Sequence, residues 1–187
     1  MIKVGITGCD NLRAAELVRV LINHPDVELK WVTNNSHKHV RLDHIVHGII
    51  GETDLVVNAN RELAECDVDI VFACGARGQL SHELEELSPE TRIVDLSGSH
   101  NLDHGEDKPW KYGLGEMQRR VLVHEASRVT VPGNAATASL LALMPMARNL
   151  LINNPVTLHV SMGTLAFPSG DIKRPLTLDG LDVYQWA

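Results

Sequence analysis

An α/β fold built on a parallel sheet is the class this sequence predicts, and three of its features predict it. Strand-like and helix-like patterns alternate from the first residues onward. Val68 to Ala73 is a nearly all-apolar strand of the kind that is buried on both faces. A glycine-bearing turn, Gly5-Ile-Thr-Gly8, lies at the junction of the first strand and the first helix, where a doubly wound sheet meets its ligands.

The elements follow in order. Lys3 to Thr7 is a short apolar strand, and Leu12 to Asn23 places Leu17 and Leu21 at helical spacing. Val27 to Thr33 reads as the second strand, Asp54 to Val57 as a short third and Val68 to Ala73 as a buried fourth. Gln79 to Leu87 is a helix that stops before Pro89. Arg92 to Leu96 adds a strand that ends in the small-residue turn Ser97-Gly98-Ser99. Asn101 to Met117 is polar and irregular, Arg128 to Val131 is a strand, and Ala135 to Leu151 is a strongly apolar helix in which Pro145 should produce a kink or a break. After Asn153-Asn154-Pro155, Val156 to Val160 starts a new strand. The expected organisation is a Rossmann-type doubly wound parallel sheet over residues 1–153, followed by residues 154–187 as the start of an incomplete α+β second domain.

Composition narrows the function classes. At 187 residues and 44% hydrophobic the chain can bury one substantial core plus a small appendage. A net charge of -7 disfavours nucleic acid, whose partners present a basic face. No apolar run approaches the ~20 residues of a membrane span, and Met1-Ile-Lys-Val lacks the pattern of a secretory leader. Cys9, Cys66 and Cys74 are odd in number and show no metal-ligand spacing, so the expected setting is a reducing, cytoplasmic one. His37, His39, His44 and His47 are dense but match no established zinc pattern, and a solvated loop is the better reading, with no metal expected. No serine lies in a Gly-x-Ser-x-Gly elbow.

Taken alone, Gly5-Ile-Thr-Gly8 supports two readings equally. One is a tight turn that needs glycine for its dihedrals. The other is an anion cradle, in which helix-terminal amides hold a pyrophosphate. The segment Val4-Gly-Ile-Thr-Gly8 through Ala15-Glu-Leu-Val-Arg-Val-Leu21 resembles the opening of the N-acetyl-gamma-glutamyl-phosphate reductases, relatives of aspartate-semialdehyde dehydrogenase. Further matches run in order along the chain: Thr33-Asn-Asn-Ser-His37, Asp69 to Gly78, Asp95-Leu-Ser97 and Tyr112-Gly-Leu-Gly-Glu116. The resemblance implies a nicotinamide cofactor, NADP or NAD. It places Gly5, Thr7, Gly8, Asp10, Asn11 and Leu12 at the turn, Asn35 and Ser36 beside the ribose, and Gly75, Ala76 and Ser97 along the rest of the site.

Several positions depart from the family pattern. Asn11 and Ala14 stand where the family has glycines, and Asn35 stands where an arginine meets the 2′-phosphate of NADP; an amide does not pair with phosphate as a guanidinium does, although Lys38 and Arg41 are close in sequence. The family's nucleophilic cysteine, in a Gly-Cys-Tyr-Pro-Thr turn, attacks an acyl phosphate, and the thioester is then reduced to a semialdehyde. The equivalent stretch here is Val131-Pro-Gly-Asn-Ala-Ala-Thr-Ala138, so Asn134 occupies the nucleophile position and is expected to be inactive, with a helix N-cap as its role. The family's Asp-Leu-Ser-Ala-Asp-Phe-Arg-Leu reads Asp95-Leu-Ser-Gly-Ser-His-Asn-Leu102, with Asn101 in place of a substrate-binding arginine. His159, the one histidine after Asn134, matches no motif for a catalytic base, and Cys74, in an apolar strand, reads as an inert core residue.

Two functions are therefore expected from the resemblance. One is an NADP-dependent acyl-phosphate reductase of arginine- or lysine-type biosynthesis that is inactive by itself, a pseudoenzyme candidate. The alternative is a non-catalytic nucleotide-binding or regulatory protein related to it. A plain dehydrogenase without a covalent intermediate ranks last, because no Tyr-x-x-x-Lys pair is present. An exposed strand edge at Val156 to Val160 would favour homo- or hetero-oligomers.

Overall fold

The computed structural model describes residues 1–9, 11–34, 39–57, 67–76, 78, 84, 87–101 and 108–161. The first strand, β1 (Ile2–Thr7), is buried from Val4 onward. Its side chains alternate between two apolar layers: Val4 and Ile6 join one core, whereas Gly5 faces the other. Helix α1 (Leu12–Ile22) packs on the first layer through Ala14, Val18 and Leu21, a spacing of four and three that makes one stripe. Asn11 caps it: the residue is extended, and its Oδ1 accepts the Ala14 N–H at 3.1 Å.

The main sheet continues with β2 (Val27–Val32), β5 (Ile70–Ala73), β6 (Arg92–Asp95), β7 (Trp110–Tyr112) and β8 (Arg128–Thr130), in the order β2-β1-β5-β6-β8-β7. Every neighbouring pair in it is parallel. The register aligns Thr7 with Ala73, Ala73 with Asp95, and Thr130 with both Asp95 and Tyr112, so the carboxyl ends of five strands form one edge. Between β1 and β5 the strand order reverses direction, which opens a crevice at that edge. This is the doubly wound α/β architecture that the sequence predicts. The second layer contains Trp31, Val71, Leu84, Leu87, Ile93 and Trp110. Leu84 and Leu87 belong to the predicted 79–87 helix, the rest of which lies outside the described residues.

Four expectations change. The predicted third strand is instead β4 (Val56–Val57), paired antiparallel with β3 (Val40–Arg41) in a separate two-stranded sheet. Together with α2 (Leu42–Ile45) it covers the α1 layer, and Leu42, Val46, Ile49 and Val57 satisfy their apolar character there and not in the main sheet. The stretch predicted to be irregular contains β7 and the start of α3 (Gly115–His124). Three residues are too few to show alternation, and α3 buries no residue and has a non-helical Gln118, so neither carries a periodic signal. Helix α4 (Asn134–Arg148) runs through Pro145 without stopping. The proline falls in its last turn, where the Asn149 Nδ2 donates to the Pro145 carbonyl at 2.7 Å. Val156 to Val160 is exposed and has no regular secondary structure, and no strand among the described residues pairs with it.

An ion pair secures the small sheet. Arg41 donates to both carboxylate oxygens of the buried Asp43, at 3.0 and 2.8 Å, and also meets Asp54 at 2.9 Å. The hydrogen bond from Arg41 is the main reason that the Asp43 carboxyl is held down at about 2. An unfolded aspartate titrates near ~3.9, so this contribution to stability is complete above that pH and is lost as pH falls through about 2. Amide exchange over residues 40–57 should therefore accelerate between pH 4 and 2 in the native protein. In Asp43→Asn it should already be fast at pH 6, and equal protection in the two proteins at pH 6 would contradict the role of this pair.

Candidate functional site

The crevice between β1 and β5 is shaped by two glycines. Gly8 has a φ of +69°, and a Cβ built on it would overlap the Cα and N of Gly75 in the turn after β5. Asn11 locks this approach, since its Nδ2 donates to the Cys74 carbonyl at 2.6 Å and to that of Gly8 at 3.3 Å while its Oδ1 caps α1. The cap satisfies the Ala14 amide, and Ala15 bonds back to the Asn11 carbonyl. The amides of Leu12 and Arg13, in the first turn of α1, have no intrahelical acceptor and face the N-terminal end of the helix. That turn contains no acidic residue, so nothing within it offsets the positive end of the helix dipole.

From the β2 side the turn is held by residues to which the sequence reading gave no role in the site. Cys9 donates its N–H to the Thr33 carbonyl at 2.8 Å, Gly8 donates to Thr33 Oγ1 at 3.3 Å, and the buried Asn34 donates from Nδ2 to the Cys9 carbonyl at 2.7 Å. On the other side, Arg13 donates from its guanidinium to the Leu96 carbonyl, bridging α1 to the turn after β6. That turn is organised around Asp95, which is fully buried and accepts four hydrogen bonds. Oδ1 takes the Ser97 N–H at 2.8 Å and its hydroxyl at 2.5 Å; Oδ2 takes the His100 N–H and Nδ1, both at 3.0 Å. The His100 ring stacks on Trp110 with centroids 3.8 Å apart.

The predicted site residues divide accordingly. Thr7, Gly8, Asn11, Leu12, Gly75 and Ala76 converge at the β1 and β5 ends, and Ser97 lies at the neighbouring β6 end. Gly5 sits inside β1 and not in the turn: a Cβ there would fall within the Trp31 ring, which is what requires glycine at that position. Asp10, Asn35 and Ser36, with Lys38 and His37, lie outside the described residues. Asn134 begins α4 beyond the β8 end, but Gly133 is the N-cap, and the Asn134 Oδ1 accepts the N–H of Ala135 at 2.8 Å. Asn101, at the arginine position, accepts the Thr130 hydroxyl on Oδ1 at 2.8 Å, tied back onto β8. His39, His44 and His47 are exposed, and among the described residues no three His, Cys, Asp or Glu side chains converge as a metal site would require.

Cys74 is fully buried, and burial is the first cause that pushes its thiol up to about 12, with the neighbouring Cys9 adding to it. A thiol so placed is not a nucleophile at neutral pH. Native-state labelling with a thiol-specific disulfide reagent, read by peptide mass, should leave Cys9 and Cys74 unmodified until denaturant is added. Labelling of Cys74 in native buffer within minutes would overturn this.

A parallel doubly wound sheet, a glycine contact at its switch point and a helix N-terminus above it define a dinucleotide-binding domain of the Rossmann class. Residues 3–125 match the family described as semialdehyde dehydrogenase, NAD binding domain. The chain belongs to that family. It is 36% identical over 169 residues to the N-acetyl-gamma-glutamyl-phosphate reductase of Phocaeicola vulgatus, which covers 88% of this chain and 50% of that protein. It is 34% identical over 190 residues to the reductase of Parabacteroides distasonis, covering 99% of this chain and 58% of that one. The chain thus spans about half the length of these relatives. Among solved structures, its fold is similar to aspartate semialdehyde dehydrogenase from Francisella tularensis, with a TM-score of 0.61 at 16% identity over 80% of this chain and 41% of that one. The enzyme from Candida albicans, solved with NADP, gives 0.56 at 15% identity over 81% and 48%. No helix among the described residues is long and apolar enough to cross a membrane.

Proposed function

We propose that this chain binds a nicotinamide dinucleotide in the β1–β5 crevice and supplies the nucleotide-binding part of a reductase of the N-acetyl-gamma-glutamyl-phosphate type. The Gly8–Gly75 contact carries the reading, because it brings two stretches of backbone together beneath the α1 N-terminus with no side chain on either glycine. The amides of Leu12 and Arg13 would hold the pyrophosphate, and Ala76 and Ser97 would border the nicotinamide side. When bound, the cofactor supplies hydride; the chain's own residues orient it.

The thioester step is outside the means of residues 1–161. At the nucleophile position Asn134 offers a carboxamide, and Asn101 offers no positive charge to a substrate carboxylate or phosphate. The chain in this reading is a nucleotide module of residues 1–153, cytoplasmic, that works in an oligomer and by itself reduces no acyl phosphate. Titration with NADPH and NADH, followed by nicotinamide fluorescence, should show saturable binding, and no binding of either up to millimolar concentration would refute the reading. Asn134→Cys should stay without acyl-phosphate reductase activity, because Asn101 remains tied to Thr130; recovered turnover would show the rest of the site to be complete.

A further inference from the structure

The residues after β6 form a hydrogen-bond chain that runs from a buried histidine to the backbone of Gly78, three residues beyond Gly75. Asp95, receiving four donors, acts only as an acceptor. The Ser97 hydroxyl has one proton and donates it to Asp95 Oδ1. In the 2.6 Å contact between the Ser97 and Ser99 hydroxyls, Ser99 must therefore be the donor. With its own proton spent, the Ser99 oxygen is an acceptor, and it takes the N–H of Gly78 at 2.8 Å. The direction of every bond is thus determined, from Gly78 through Ser99 and Ser97 to Asp95. The other carboxylate oxygen is held by His100, whose Nδ1 carries the proton because it faces that oxygen at 3.0 Å.

Gly78 lies three residues along the chain from Gly75, the residue against which Gly8 packs. Its φ of +77° needs an external restraint, since glycine does not itself favour one conformation. Ser99 and His100 stand where the resembling family motif has Asp and Phe, so these two links are particular to this sequence, whereas Asp95, Ser97 and Gly78 match the family. His100 keeps the aromatic stack on Trp110 that a phenylalanine could make, and adds a donor toward Asp95 that a phenylalanine lacks.

We propose that His100 is a positioning residue for the nucleotide crevice, acting through Asp95, Ser97 and Ser99 on the backbone of Gly78. The proposal rests on the nucleotide-binding reading above for its functional meaning, while the positioning itself can be measured without any nucleotide. Its test uses the full chain and three variants. Ser99→Ala removes the last link, His100→Phe keeps the stack but removes the donor, and His100→Asn removes the stack but places an amide N–H near the position of Nδ1. Two quantities are read: the exchange rate of the Gly78 amide and the Kd for NADPH.

Ser99→Ala and His100→Phe should each speed Gly78 exchange at least several-fold and weaken NADPH by about 5-fold, the equivalent of one neutral hydrogen bond. His100→Asn should recover much of both. Wild-type exchange and wild-type Kd in His100→Phe would overturn the proposal, and so would a His100→Asn variant as impaired as His100→Phe, since the ring and not its N–H would then be what matters. If the wild-type chain fails to bind NADPH, the nucleotide reading falls, and Gly78 exchange still decides whether His100 holds that backbone.

Discussion

Gly8→Ala should cost the native protein on the order of 3 kcal/mol and abolish dinucleotide binding in whatever fraction still folds. Two effects add at this residue. At a φ of +69° a side chain is strained by about 1–2 kcal/mol, and the new methyl group would overlap the backbone of Gly75, which cannot rotate away as a side-chain tip can. Relief requires that the β1 and β5 turns separate, and the Asn11 bonds to the Gly8 and Cys74 carbonyls oppose that separation. Equilibrium urea denaturation measures the first effect and NADPH titration the second. A variant with an unchanged midpoint would show that the two turns are not in contact in solution. Gly78→Ala is the natural control: a Cβ there meets nothing within 4 Å, so it should carry the dihedral strain without the overlap.

Asp95→Asn should destabilise by about 2–5 kcal/mol although it alters a single atom. The carboxylate serves two donors on each oxygen, and an amide must turn its NH2 toward one of the pairs. If it faces His100, the imidazole can change tautomer and accept, but the His100 backbone N–H cannot. If it faces Ser97, the hydroxyl can rotate and the Ser97 N–H cannot. Either choice leaves a buried donor without an acceptor, and the residue is fully buried, so water does not replace the lost bond. Thermal and urea denaturation of the variant measure the loss, and a shift of less than about 0.5 kcal/mol would show that the site relaxes around the amide.

The parallel sheet and its first helix were legible because their signals are local and repeated. Val4 and Ile6 against α1's Ala14, Val18 and Leu21 make a period of two facing a period near 3.6, whereas the cap that Asn11 makes was read as a replaced glycine of the turn. The edge strand β7 was not legible: it has three residues and takes its strand character from pairing with β8, eighteen residues further on at Trp110 and Arg128. The small β3–β4 sheet misled for a related reason, since Val57 is as apolar as a central strand residue but packs on the flank. At the site, the glycine turn could be read from the sequence, whereas the roles of Thr33, Asn34 and Arg13 depend on which strand ends the topology brings together. Gly5 shows the converse. The residue was read as a cofactor-binding glycine of the turn, whereas in the structure it lies inside β1, where a Cβ would meet the indole of Trp31.

That indole has a use beyond packing. Trp31 and Trp110 are buried in the same layer of the core, and the Trp31 Nε1 has no hydrogen-bond partner among the described residues. A ring in such dry surroundings emits at the blue end of the tryptophan range, where reduced nicotinamide absorbs. The protein therefore contains its own optical donor close to the crevice, and excitation of tryptophan should sensitise emission from bound NADPH or NADH without any added label. The third tryptophan, Trp186, lies outside the described residues, and its replacement by phenylalanine would assign the transferred light to the core pair.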